Sequence, residues 1–336
     1  MFKENISIKN YNSFKIDVKT KFFSEFKNIE ELKIILNSSI YNNNKSFILG
    51  GGSNILFTND YKGLILKNNI TGIKIIKENN DHIIVEVGSG ENWHKFVMWS
   101  IEKNLSGIEN LALIPGSVGA CPVQNIGAYG MEAKDSIISV HTIDLKSHKE
   151  YNFKNKDCDF KYRDSIFKNK LKNKIIITKV NFKLNKKPIN NISYGNIELE
   201  LKKLKLSPSP KNIANTIIKI REKKLPDPKK IGNCGSFFKN PIISNSQFIK
   251  LQKKFPEIIY FKLPDKKIKI SAGWLIENIG LKGYRKGDAG VHKQQALVIV
   301  NYGRANGQEI LNLAKRIQKK VMENYEIQIE PEVNIL

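Results

Sequence analysis

Apolar positions along the chain fall into short runs and longer stripes. The runs at 47–49 (FIL), 64–66 (LIL) and 83–87 (IIVEV) are short, which predicts strands. Residues 175–184 (IIITKVNFKL) alternate as a half-buried strand does. ALVIVN (296–301) reads as a buried strand and IQIE (326–329) as a last one. The stripes have helical spacing. In 93–105 they are Trp93, Phe96, Val97, Ile101 and Leu105; in 307–325 they are Ile310, Leu313, Ala314, Ile317, Val321 and Tyr325. Residues 212–224 (NIANTIIKIREKK) predict an amphipathic helix, stopped where Pro226 and Pro228 forbid continuation. Residues 272–280 predict a short helix ended by Gly280. The stretch 108–130 fits neither period, being too rich in glycine and small residues. The chain is therefore expected to be α+β, without internal repeats. LSPSP (206–210) and LPDP (225–228) are hinge candidates.

Length and composition refine this. A chain of 336 residues predicts two or three domains, and 40% apolar content suffices for a sizeable core. The three cysteines, Cys121, Cys158 and Cys234, form no CxxC, which argues for a reducing compartment. The opening MFKENISIKN lacks the apolar core of a signal peptide, and no run approaches the length of a membrane helix. The formal net charge of +24 would suit a nucleic-acid or membrane partner. The lysines, however, are spread along the whole chain among abundant isoleucine and asparagine, the mark of AT-rich codon usage rather than of one basic stripe.

The candidate chemistry starts from what is missing. GGGSN contains G-x-G at Gly50 and Gly52, but position 55 is Ile where a Rossmann fingerprint needs a third glycine. His82, His94, His141, His148 and His292 have no metal-ligand spacing, so no metal site is expected. Two glycine-dense segments, 48–56 and 113–130, remain. Consecutive small residues let backbone N–H groups approach a diphosphate, so the pair reads either as a dinucleotide cradle or as two ordinary turns. Arg163 of YRDS either pairs with Asp164 or forks onto a carboxylate or phosphate. Glu332 of EPEV lies between apolar neighbours, where burial would raise its pKa. In GNCGSFFKNP (232–241), Ser236 is open to four roles: turn residue, phosphate contact, nucleophile or proton donor. Cys234 reads as a small buried hydrophobe.

Taken together and in order, SFKID, LGGGSNIL, GIENLALIPGSVGACPVQNIGAYG, YRDSIFK, SYGNI, KLPDP, GNCGSFFKNP, SAGWLIE, GLKG, VHKQQALVIVN and EPEV carry a resemblance over essentially the whole chain. The sequence resembles the UDP-N-acetylenolpyruvoylglucosamine reductase (UDP-N-acetylmuramate dehydrogenase) family, flavoenzymes of early peptidoglycan synthesis. SYGNI points to the longer subtype with a substrate-covering tyrosine loop. The resemblance implies an FAD-binding module of the vanillyl-alcohol-oxidase type plus a C-terminal substrate-binding α+β domain. Its three parts would be residues 1–70 with 327–336, residues 71–225, and residues 226–326.

The implied reaction is ping-pong. NADPH reduces FAD, and the enolpyruvyl UDP-sugar then enters the same cleft and receives hydride at C3. By motif, Ser236 would be the acid that protonates C2, while Glu332 and Arg163 would stabilise the enolate-like charge. Implied FAD contacts are Gly50, Gly51, Gly52, Ser53, Asn54 and Ile55 in the first loop. The second loop would add Ile114, Pro115, Gly116, Ser117 and Gly119, then Asn125, Gly127 and Ala128, with Tyr129 near the ring. Tyr194, Lys224 and Asn240 would contact the substrate diphosphate; Lys282 and Gln295 would contact its nucleotide. The chain departs from the family at Asn334, where arginine is common, and at Cys234, where alanine is. Third-domain register leaves Tyr260 or Phe261 as the aromatic that meets substrate. A cytoplasmic monomer with no nucleic-acid or membrane partner is expected. An FAD-linked oxidase of the same fold, or a basic nucleic-acid-binding protein, are the alternatives.

Overall fold

A computed structural model describes all residues, 1–336. The chain forms two compact units. The first comprises Met1–Ile6, Thr20–Gly52 and Lys62–Lys223; the second comprises Ser7–Lys19, Ser53–Tyr61 and Lys224–Leu336.

The first unit holds two sheets. In the smaller, strands Lys3–Ser7, Lys19–Phe26, Tyr61–Asn68 and Ser46–Leu49 lie side by side in that order. The last pair is parallel, with Ser46 opposite Leu64. Helix Ile29–Leu36 covers this sheet. Its N-cap Asn28 accepts from Glu31 N, and Glu30 and Glu31 favour the positive end of its dipole. Leu32, Ile35 and Leu36 then pack with Phe26, Leu64 and Leu66.

The larger sheet is antiparallel: Glu150–Lys154, Ile137–Asp144, Ile175–Asn185, His82–Gly88 and Ile73–Glu78. The central strand Ile175–Asn185 is not the half-buried strand its alternation predicts, because Ile175 through Thr178 are all buried. Ile176 joins the core of the smaller sheet, while Ile175 and Ile177 join the core of the larger one. Helices Trp93–Glu102 and Pro210–Lys224 feed the same larger core with Trp93, Phe96, Val97, Ile213 and Ile217. Phe96 and Phe182 lie 5.0 Å apart between ring centres, and Trp93 and Phe182 5.9 Å. Losing one such buried aromatic costs about 3–5 kcal/mol.

In the second unit, strands Gly232–Ser236, Val298–Asn301, Ala289–Val291 and Arg285–Lys286 form one sheet; Ile242–Ser244, Lys267–Ile270 and Tyr260–Lys262 form another. Helix Gly307–Tyr325 buries all six positions of its predicted stripe. Asn306 and Glu309 close a capping box at its start. Gly307 is required there, since a Cβ would collide with the Phe57 carbonyl. Residues 326–329 do not form the strand expected of them. Glu326 ends the helix in a left-handed conformation (φ 55°), and the buried Ile327 and Ile329 pack without joining a ladder. Pairing begins only at Pro331, which bridges Phe238. No helix is long and apolar enough to cross a membrane.

Candidate active site

The glycines of the first unit's two loops lie backbone against backbone. A Cβ on Gly51 would sit 2.9 Å from Gly116 Cα and 3.4 Å from Ser117 N, and one on Gly50 would sit 2.5 Å from Ser117 Oγ. Gly119 is held by Ser89, to whose carbonyl its N–H donates at 2.7 Å. Only glycine permits these approaches, and they gather backbone N–H groups with no side chain in the way. The loop is anchored from helix Trp93–Glu102: Trp93 Nε1 donates to Leu111 O at 3.0 Å, and Leu113 N donates to His94 Nδ1 at 3.1 Å.

Left-handed non-glycine residues cluster around the same loop: Leu113 (φ 59°), Asn125 (43°), Tyr129 (50°) and Arg163 (55°). Such backbone strain concentrates where a ligand must be met. Arg163 Nη2 donates to Gly127 O at 2.6 Å, and Lys168 Nζ donates to the Arg163 carbonyl at 3.0 Å. Asp164 meanwhile accepts from Ser165 N and from Asn169 Nδ2. Asn125 is turned inward and fully buried. Its amide donates to Glu132 and the Lys161 carbonyl and its oxygen accepts from Lys134 N, so its side chain braces the loop. Tyr194 lies beside the hairpin formed by Gly127–Ala128 and Met131–Glu132: a Cβ on Gly130 would fall 3.0 Å from Tyr194 Cβ. Burial raises the Tyr129 pKa, opposed by the charge of Arg221.

Two residues here escaped the sequence reading. Asn110 is fully buried and donates to both Tyr129 O and Asn191 O at 2.8 Å, while its Oδ1 has no partner. Arg221 has a buried Nε without a partner. A signal for Arg221 existed: it follows the buried Ile217 by one helical turn on the predicted helix. Asn110 had none.

In the second unit, Gly235 (φ 73°) breaks the ladder of strand Gly232–Ser236, which shifts register between Asn233 and Ser236. The bulge leaves Ser236 exposed while Phe237 and Phe238 are buried. Phe237 N donates to Leu297 O, and Glu332 N donates to Phe237 O, both at 2.8 Å. Cys234 is buried, and its thiol pKa is pushed well up, first by burial and then by the nearby Glu332 charge. Asn54 Nδ2 donates to Glu332 O at 3.2 Å; Asn334 returns Nδ2 to Asn54 O at 3.1 Å and pairs with Ile55 in a parallel bridge. Asn334 thus holds backbone. Asn240 Oδ1 accepts from Ala272 N, the first residue of helix Ala272–Asn278. Lys282 pairs with Glu277 at 2.6 Å, Gln295 Oε1 lies 3.5 Å from the Cβ position of Gly273, and Lys224 is exposed.

Comparison with known proteins follows this division. The FAD binding domain model matches residues 21–148, and the UDP-N-acetylenolpyruvoylglucosamine reductase C-terminal domain model matches 227–336. The UDP-N-acetylenolpyruvoylglucosamine reductase of Flavobacterium johnsoniae is 51% identical, covering 99% of each chain. That of Chromobacterium violaceum is 42% identical over 100% of this chain and 99% of its own. The crystal structure of the Thermus caldophilus enzyme shares the fold, with a TM-score of 0.71 at 23% identity over 100% of this chain and 99% of that one. The expected α+β architecture, an FAD-binding module with a C-terminal domain, is borne out. This chain belongs to the UDP-N-acetylenolpyruvoylglucosamine reductase family.

Proposed function

We infer that the protein catalyses the NADPH-dependent, FAD-mediated reduction of UDP-N-acetylglucosamine enolpyruvate to UDP-N-acetylmuramate in peptidoglycan synthesis. Full-length identity of 51% carries the reading. The glycine cradle fits the cofactor, since the approach of Gly51 to Gly116 leaves backbone donors for a diphosphate. Bound there, FAD would supply the hydride chemistry that links NADPH to the enolpyruvyl carbon.

The residues of this chain bind, orient and move the proton. Ser236 supplies its hydroxyl proton to C2; a serine works as an acid here because a carbanion is far more basic than its alkoxide. Its exposure on a bulge, with neighbours packed into the core, supports that role. Arg163, planar and always charged, suits a carboxylate or enolate, and Glu332 hydrogen-bonds the same group when protonated. Residues 50–55, Ile114, Pro115, Gly116, Ser117 and Gly119, with Gly127, Ala128 and Tyr129, hold FAD. Asn125 acts through the loop it braces. Tyr194, Lys224 and Asn240 take the substrate diphosphate; Lys282 and Gln295 take its nucleotide, with the Lys282–Glu277 pair opening to do so. NADPH uses the same cleft before the sugar nucleotide.

The reading divides the chain into 1–70 with 327–336, 71–225 and 226–326; the smaller sheet's own core supports it within residues 26–70, whereas residues 7–19, 53–61 and 327–336 fall in the second unit. The protein is read as a cytoplasmic monomer without nucleic-acid or membrane partners; the even spread of its charge supports the last part of that reading. The test is a visible spectrum. The purified protein shows flavin absorbance, NADPH bleaches it and the enolpyruvyl sugar nucleotide restores it. A protein that takes up no FAD overturns the reading.

A further inference from the structure

Asn233 is 2% exposed, and both ends of its side-chain amide are bonded. Nδ2 donates to Ile231 O at 2.8 Å and to Pro226 O at 3.2 Å, while Oδ1 accepts from Gly235 N at 2.9 Å. The groups at the two ends belong to different features. Pro226 and Ile231 are the arms of a turn. Inside it, Asp227 O accepts from Lys230 N and Ile231 N, and the Asp227 carboxylate accepts from Lys229 N, all at 2.9 Å. Lys224 stands two residues before that turn. Gly235, at the other end, is the pivot of the bulge that presents Ser236. The ladder with Val298–Asn301 is interrupted between Asn233 and Ser236, so it does not hold Gly235. The Asn233 side chain does. A local asparagine turn needs only the bond to Gly235 N. The two donations to Pro226 and Ile231 go beyond it and tie the bulge to the turn.

We propose that Asn233 is a positioning residue that couples recognition of the substrate diphosphate at Lys224 to proton delivery by Ser236. An anion held at Lys224 steadies the 226–231 turn, and the Asn233 amide passes that order to Gly235 and so to the Ser236 hydroxyl. Binding energy from a part of the substrate that does not react is thereby used to orient the group that does. The mount is itself fixed: Asn233 N donates to Ser13 O at 3.0 Å, and Gly232 lies too close to Phe14 O for any Cβ. The proposal rests on the roles given to Lys224 and Ser236 under the flavoenzyme reading.

Asn233→Asp cuts the link selectively. It keeps an acceptor for Gly235 N but has no hydrogens for the Pro226 and Ile231 carbonyls. The variant, Lys224→Ala, their combination and Ser236→Ala are compared as holoenzymes by stopped flow, at saturating NADPH and saturating enolpyruvyl sugar nucleotide, in H2O and D2O, with Tm alongside. In Asn233→Asp, NADPH bleaches the flavin at the wild-type rate. Reoxidation at saturation slows roughly 10- to 100-fold, the scale of a misplaced catalytic group, and its solvent isotope effect grows as proton transfer becomes limiting. Lys224→Ala alone also slows saturated reoxidation. Added to Asn233→Asp, it raises KM but slows saturated reoxidation no further, because the link is already cut. Asn233→Ala, which loses all three bonds, shows the same split and serves alone should the Asp variant not fold. A lowered Tm with wild-type saturated reoxidation assigns Asn233 to packing and overturns the proposal, as does equal loss in both half-reactions. Effects of Lys224→Ala and Asn233→Asp that multiply at saturation overturn the coupling. If Ser236→Ala reoxidises at the wild-type rate, the acid assignment falls and the proposal with it; a Ser236→Ala defect beside unaffected Asn233 variants overturns the proposal alone.

Discussion

The backbone N–H of Glu332 donates to the carbonyl of Phe237 at 2.8 Å, which sets the glutamate on the segment bridged to Phe238, beside the residue that follows Ser236. Lys239 N to Glu330 O, at 2.9 Å, and the Phe238–Pro331 bridge continue the pairing. Two motifs far apart in sequence are thereby fixed in register by main-chain bonds.

Ser236→Ala separates the half-reactions. NADPH still bleaches the flavin at close to the wild-type rate, since no substrate proton is needed. Reoxidation by the enolpyruvyl substrate falls by roughly 10²–10⁴, the ordinary scale of lost acid catalysis. Stopped-flow absorbance reads both. Equal loss in both halves would assign Ser236 to binding or folding.

Gly51→Ala removes the cofactor. The new methyl meets Gly116 Cα at 2.9 Å, and that neighbour is backbone, which cannot swing aside. FAD affinity is expected to drop at least roughly tenfold, with apo stability lowered by about 1–3 kcal/mol from overpacking. Fluorescence titration and denaturant melts measure the two, and unchanged FAD affinity would refute the cradle.

Acid weakens the fold. Burial lowers the pKa of His94, His141 and His292 below the ordinary 6.5; the Arg221 charge lowers His94 further. The unfolded chain therefore takes up protons first. Stability is present above about pH 6.5 and is lost as pH falls towards the folded values. His94 Nδ1 also accepts from Leu113 N, so protonation there breaks an anchor of the loop. Tm should fall between pH 7.5 and 5.5, and His94→Gln should flatten the slope.

The thiols are silent while the protein is folded. Burial, then Asp157, pushes Cys158 up to about 12, and burial pushes Cys121 and Cys234 well above their usual range. A thiolate-directed reagent at pH 8 should titrate no cysteine until denaturant is added. The protons stay on in the fold and leave the unfolded chain above its ordinary pKa of 9.0, so stability declines from about pH 9 towards 12. Rapid labelling of the native protein would contradict this.

What the residues announced and what they hid divide along physical lines. Helix Gly307–Tyr325 was legible because one face of it meets a core, which imposes the 3.6-residue period. The glycine loops were legible because only glycine allows their approach. Strand Ile175–Asn185 misled because cores lie on both its faces, and IQIE misled because apolar alternation does not require a ladder partner. Helix Ile29–Leu36, two turns long, is too short for periodicity to stand out. Asn110 stayed hidden since what marks it is an oxygen without a partner, which only coordinates reveal, whereas Arg221 lay one turn beyond the buried Ile217 on a helix the sequence did predict.

The parallel pairing of Asn334 with Ile55, and the bond from Asn54 to Glu332 across 278 positions, also set a timetable. During vectorial synthesis at about 5–20 residues per second, residues 54–56 emerge roughly 14–56 s before their partners. Until then the edge of Ile55–Leu56 has no ladder to join, and a ribosome that stalls short of Glu332 leaves that edge open. The segment carrying Glu332 is thus fitted long after residues 54–56 are made, so this part of the fold closes only when both ends of a 278-residue span are present.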